Sequence, residues 1–99
     1  MLYVIVGEDV ANSLEARKAA RQAHLARLTE LQQNGRLVLA GPCPAIDSPE
    51  PGPAGFTGSV IVAEFPSLDE AQRWANDDPY IKGNVYRNVA VRPFKQVFP

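Results

Sequence analysis

The chain has 99 residues, of which 45% are hydrophobic and 21% charged, and its formal net charge is −1. This describes one domain (residues 1–99) with a modest single core, too apolar for disorder and too neutral to draw nucleic acid or an anionic membrane by charge. No apolar run approaches the roughly 20 residues of a membrane span, and the lone Cys43 excludes an internal disulfide framework and any cysteine metal-ligand spacing.

Leu2–Gly7 (LYVIVG) is a continuous apolar run with β-branched residues, which predicts a strand buried on both faces. It lacks the basic flank and small-residue cleavage site of a signal peptide, so a cytoplasmic protein is expected. Asn12 and Glu15 have capping-box spacing, with Ser13 a competing N-cap. The helix they open is expected to reach about Gln33, where Asn34-Gly35 supplies a left-handed stop. Arg17, Arg21, His24, Leu28 and Leu31 follow at steps of four, three, four and three, so they share one helical face. Its leucine half belongs in a core. The other half carries two arginines and the chain's only histidine, and buried charge of that kind needs a partner or a ligand.

Arg36–Ala40 (RLVLA) reads as a second strand closed by Gly41-Pro42. Residues 42–55 (PCPAIDSPEPGPAG) are too rich in proline for a regular element and read as a long, stiffened loop of the kind that is usually functional or mobile. Phe56–Phe65 is the third strand, where Gly58 signals a bulge or a close approach. Ser67 and Glu70 form the cleaner capping box, opening a helix expected to run to Asp77 or Asp78 and to stop at Pro79. On that helix Leu68, Ala71, Ala75 and Asp78 share the inward face. Tyr80–Asn84 reads as a turn and Val85–Val97 as a last strand, with Pro93 arguing for an edge position or a break.

The order β-α-β-β-α-β predicts a ferredoxin-like α+β fold, a four-stranded antiparallel sheet with two helices on one face. Both sheet faces are apolar. The uncovered one needs a partner, and a homodimer packed sheet against sheet is expected.

His24 and Asp78 are the main chemical pair. A carboxylate that orients and charge-stabilises an imidazole makes a general acid/base unit near neutral pH; the plainer reading is a structural hydrogen bond between two helices. Arg17 and Arg21 either clamp a carboxylate or phenolate beside the imidazole or are solvated arginines paired with acids such as Asp9 or Glu15. Residue type favours the second reading for both, and Arg17 is the better candidate for the site. Ser59, beside Gly58, is placed to hydrogen-bond a ligand or the histidine, but no nucleophile elbow surrounds it. Tyr3, Phe56, Trp74, Tyr80 and Phe94 are expected in core and pocket walls, Tyr3 and Tyr80 being candidate phenol donors. Cys43 reads as an incidental thiol. Gly52, Gly55 and Gly58 do not open a helix after a strand and make no phosphate loop. Neither a metal nor a cofactor is expected.

With these residues placed, the chain resembles the YciI-like (YCII-related) family. The matching stretches are MLYVIV, ARQAHLARL, GRLVLAGPCPAIDS, GFTGSVIVAEFPSLDEAQRWANDDPY and VAVRPFKQVF, in that order over nearly the full length. The resemblance implies dimerisation through the sheets into an α/β barrel and a pocket in each subunit centred on a His–Asp pair, here His24 and Asp78. The wider superfamily resembles muconolactone isomerases and an enzyme that dechlorinates a chlorinated hydroxyhydroquinone. The expected activity is therefore acid/base chemistry on a small, phenolic or lactone-type molecule. Ser59, Arg17, Tyr3, Gly41 and Pro42 are the candidates for contacting it. The alternative is a non-catalytic accessory protein that binds a small ligand in the same pocket.

Overall fold

Strands and helices form along the apolar periodicities of the chain. The computed structural model describes residues 1–99 as β1 (Leu2–Asp9), α1 (Leu14–Gln33), β2 (Leu37–Pro44), β3 (Phe56–Glu64), α2 (Leu68–Asn76), α3 (Pro79–Lys82) and β4 (Tyr86–Phe94). All strand pairs are antiparallel, in the order β2-β3-β1-β4. This is the ferredoxin-like arrangement.

The core lies between the sheet and the helices. Tyr3 and Ile5 of β1 stand opposite Ala63 and Ile61 of β3, and Leu31 of α1 with Ala71 and Ala75 of α2 closes over them. Burial of a residue such as Ile5 or Leu31 contributes about 1.5–3 kcal/mol. β1 is not buried on both faces. Tyr3, Ile5, Gly7 and Asp9 point inward, whereas Val6 is 43% exposed, because the helices cover only one side of the sheet.

Several boundaries differ from the sequence reading for local reasons. Asn12 has a left-handed φ of 57° and does not cap α1. Ser13 takes the N-cap position, but its hydroxyl donates to Asp9 Oδ2 at 2.6 Å rather than accepting a helix N–H. β2 does not close at Gly41-Pro42 but runs on to Pro44. It is an edge strand, where the N–H that proline lacks is not required by a neighbour. The loop therefore begins at Ala45 and holds a single 3₁₀ turn, Gly52–Ala54. β4 is the other edge, which accommodates Pro93 as expected, though the strand ends at Phe94.

The second capping site forms as expected, Ser67 Oγ accepting the Glu70 N–H at 3.1 Å. Leu68, expected inward, is 46% exposed, while Ala71 and Ala75 are buried. α2 ends at Asn76, so Asp78 is not on its inward face. Asp78 instead caps α3, accepting the Tyr80 N–H at 2.9 Å, and Pro79 begins that short helix rather than ending the previous one.

Candidate active site

Three elements bring polar side chains to one place on the helix-covered side of the sheet. α1 carries Arg17, Arg21 and His24 on neighbouring turns; β3 carries Ser59; the capped start of α3 carries Asp78 and Tyr80.

His24 Nδ1 lies 2.9 Å from both carboxylate oxygens of Asp78, and both residues are buried. Asp78 Oδ1 also accepts the Tyr80 amide, and Arg27 Nη1 stands 4.0 Å from Oδ2. A carboxylate so placed accepts the Nδ1 proton. In the neutral ring that assigns the free lone pair to Nε2, to which no protein group is bonded. The Tyr80 ring stacks on the imidazole with centroids 3.9 Å apart and planes within 7°. Burial raises the Tyr80 phenol above its ordinary pKa, with the charges of Arg17 and Arg21 opposing it, so it is a neutral hydroxyl at physiological pH.

Arg17 is buried rather than solvated. Its Nε donates to Asp9 Oδ2 at 2.6 Å, and its Nη2 donates to Asp9 Oδ1, Gly58 O and Ser59 Oγ, each at 2.9 Å. The guanidinium also lies over the rings of Phe56 and Tyr80, 5.2 Å and 5.1 Å from their centroids. Burial alone would lower its pKa, but the hydrogen bond and charge of Asp9 outweigh that and raise it, so the cation is permanent. Gly58 owes its place to close approach, since a Cβ there would overlap the Gly7 carbonyl oxygen.

A cleft of about 370 Å³ opens between α1 and the β2–β3 edge. This is near the lower end of the roughly 300–1,000 Å³ of small-molecule sites. Of the residues singled out in the sequence, His24, Arg17, Arg21, Leu28, Ser59, Gly41, Pro42, Phe56 and Tyr80 line it. Asp78 stands behind His24 and does not. Tyr3 lies elsewhere: it is 5% exposed in the core, edge-on to Phe65 at 6.3 Å, because odd-numbered β1 positions near the N-terminus face α2 rather than the cleft. Cys43 is outside the lining and pairs in register with Gly58.

Sequence reasoning offered Asp9 among the acids pairing the α1 arginines, but as a solvated pair. It missed that Ser13 and Ser59 join Asp9 and Arg17 in one buried cluster, because Ser59 is 42 residues from Arg17 and the burial comes from packing α1 on the sheet. It also missed the Tyr80 stack. Asp-Pro-Tyr does carry a signal, an N-cap residue followed by proline at the first helical position, which would have placed Asp78 at a helix start.

Comparison with known proteins agrees over the whole chain. Residues 1–95 match the YCII-related domain. Protein YciI of Escherichia coli is 59% identical over 98 residues, covering 99% of this chain and 100% of that one. A Haemophilus influenzae protein described as uncharacterized is 53% identical over 98 residues, with the same coverage. Among solved structures, the 5-chloro-2-hydroxyhydroquinone dehydrochlorinase of Burkholderia phenoliruptrix, in complex with 2,5-dihydroxybenzoquinone, superposes with a TM-score of 0.84. It is 28% identical, over 96% of this chain and 94% of that one. An antibiotic biosynthesis monooxygenase, 14% identical with a TM-score of 0.51 over 98% of this chain and 99% of its own, shares the fold alone. The chain belongs to the YCII-related domain family.

Proposed function

We propose that this protein is a small acid/base enzyme in which His24 moves a proton on a phenolic or quinonoid substrate bound in the cleft. The carrying observation is His24 Nδ1 at 2.9 Å from both oxygens of Asp78, with Nε2 left unbonded. Asp78 fixes the tautomer and stabilises the imidazolium once Nε2 has taken a proton. Ser59 and Tyr80 offer hydroxyls to the substrate oxygens, and Gly41 and Pro42 form the facing wall. These groups suffice for proton transfer without a cofactor.

The structural likeness to a dehydrochlorinase supports one form of this chemistry. With a chlorinated hydroxyhydroquinone, Nε2 accepts a phenolic proton and delivers it to the chlorine-bearing ring carbon, giving a keto tautomer. Loss of a second hydroxyl proton then expels chloride and leaves a hydroxyquinone, a net loss of HCl.

The reading is tested by incubating the protein with 5-chloro-2-hydroxyhydroquinone and following chloride release and quinone absorbance. Turnover is expected, with a loss of about 10²-fold or more in His24→Ala at unchanged circular dichroism. Equal turnover by His24→Ala defeats the proposal. Tight binding of 2,5-dihydroxybenzoquinone, with no substrate consumed, assigns the cleft to a non-catalytic binding protein instead.

The same reading has the protein as a homodimer packed through its uncovered sheet face. Val6 and Phe94, 43% and 37% exposed, are apolar residues supporting it. Val6→Asp is expected to give a monomer by light scattering, and an unshifted mass would reject this interface.

A further inference from the structure

The cleft has a charge that the protein as a whole does not. Arg17, Lys18 and Arg21 line it beside His24, and no carboxylate does, although the chain's net charge is −1. The three cations are not equivalent. Arg17 is held by Asp9 in a two-pronged ion pair and bonds Gly58 and Ser59 as well. Lys18 is 64% exposed and sits 3.5 Å from Glu15. Arg21 has no carboxylate within ion-pair distance. It stands four residues after Arg17 and three before His24, so on the helix it adjoins both.

We propose that the cleft takes a small planar anion and that Arg21 is the residue that reads its charge. The ring lies among Leu25, Leu28 and Phe56, its ionised oxygen or carboxylate meets the Arg21 guanidinium, and the opposite edge reaches His24. Arg17 keeps its bonds to Asp9, which balance its charge, so it is Arg21 that is left to meet the anion. A neutral ring of the same shape leaves Arg21 without its counter-ion and forgoes a charge-assisted hydrogen bond, so selectivity for charge follows. The apolar walls of the cleft suit a flat ring, and the unbalanced Arg21 cation suits an ionised group at its edge. This deepens the active-site reading above and rests on the same cleft, but concerns binding rather than turnover.

The test is a binding titration followed on the His24 imidazole resonances, with benzoate and benzamide as an isosteric charged and neutral pair, and 2,5-dihydroxybenzoquinone as the ionised quinonoid. Wild-type protein is expected to bind benzoate about tenfold or more tightly than benzamide, the difference of one charge-assisted hydrogen bond. Arg21→Gln is expected to remove that difference and the salt dependence of benzoate affinity, while Arg21→Lys keeps most of both. Equal affinity for benzoate and benzamide, an unchanged preference in Arg21→Gln, or no binding of any of the three overturns the proposal. Its fate is separable from that of the catalytic reading. His24→Ala with full turnover sinks catalysis and leaves anion selectivity standing, and the reverse holds for an Arg21→Gln variant that loses no preference.

Discussion

Asp78 and Tyr80, two residues apart, hold the His24 imidazole from two directions. The carboxylate meets Nδ1 at 2.9 Å, and the phenol ring lies flat on the imidazole face with centroids 3.9 Å apart. Pro79 between them begins α3, and the Tyr80 amide returns to Asp78 Oδ1. One tripeptide thus fixes both the tilt and the tautomer of a histidine 54 residues earlier in the chain.

This coupling separates charge from capping. Asparagine caps a helix about as well as aspartate, so Asp78→Asn is expected to unfold near the wild-type temperature. It no longer offers a negative charge to the imidazolium, and turnover of any substrate found is expected to fall on the order of 10²–10⁴-fold. Asp78→Ala loses the cap too, a further cost of about 1 kcal/mol. Paired measurements of kcat and thermal unfolding distinguish the two variants; equal kcat in Asp78→Asn and wild type would contradict the role given to the carboxylate.

The Arg17–Asp9 pair is nearly dry, with side chains 8% and 1% exposed. Removing one partner strands a buried charge, so Arg17→Met and Asp9→Leu are each expected to cost about 3–5 kcal/mol. The double variant replaces both charges by apolar groups and is expected to recover much of that loss, far from the sum of the single effects. Urea denaturation of the four proteins measures the coupling, and simple additivity would show that the pair is not a unit.

Tyr86 is the third consequence. Its ring packs on Gly7, where a Cβ would collide with it, and its buried hydroxyl has no hydrogen-bond partner of good geometry. Burial pushes the phenol far above its ordinary value of 10.0, with the nearby Ser59 hydroxyl working in the opposite direction. Because the folded state holds the proton more tightly, the associated stability is complete below about pH 10 and is lost as pH rises toward the folded value. Tyr86→Phe is expected to equal wild type or exceed it by about 1 kcal/mol at pH 7. It should also lose less stability between pH 9 and 11, as chemical denaturation at stepped pH would show; a variant with the wild-type alkaline slope would refute the assignment.

Much of the architecture was legible because it rests on periodicity. The strand runs, the α1 face from Arg17 to Leu31 and the Ser67 cap are local patterns, and each appears where its residues place it. The errors fall where a non-local partner decides. Asn12 lost its capping role to a turn and to the acceptor that Asp9 offers Ser13. β2 ran through Gly41-Pro42 because its place at the sheet edge, which no local pattern announces, relieved proline of a ladder bond.

The sequence by itself determined the family, the ferredoxin-like element order and the two residues, His24 and Asp78, that meet in the structure. Helix caps and amphipathic faces are set by neighbours in the chain, which is enough for the elements and for the place of His24. Asp78 was reached as an inward position of α2, and it meets the histidine instead as the N-cap of α3. The tertiary structure alone decided that Arg17 is spent on Asp9 while Arg21 is free, and that Tyr3 belongs to the core while Tyr80 stacks on the histidine. Two arginines one turn apart are alike in any local pattern. Only a carboxylate brought in from β1 makes one a buried strut and leaves the other facing an open cleft.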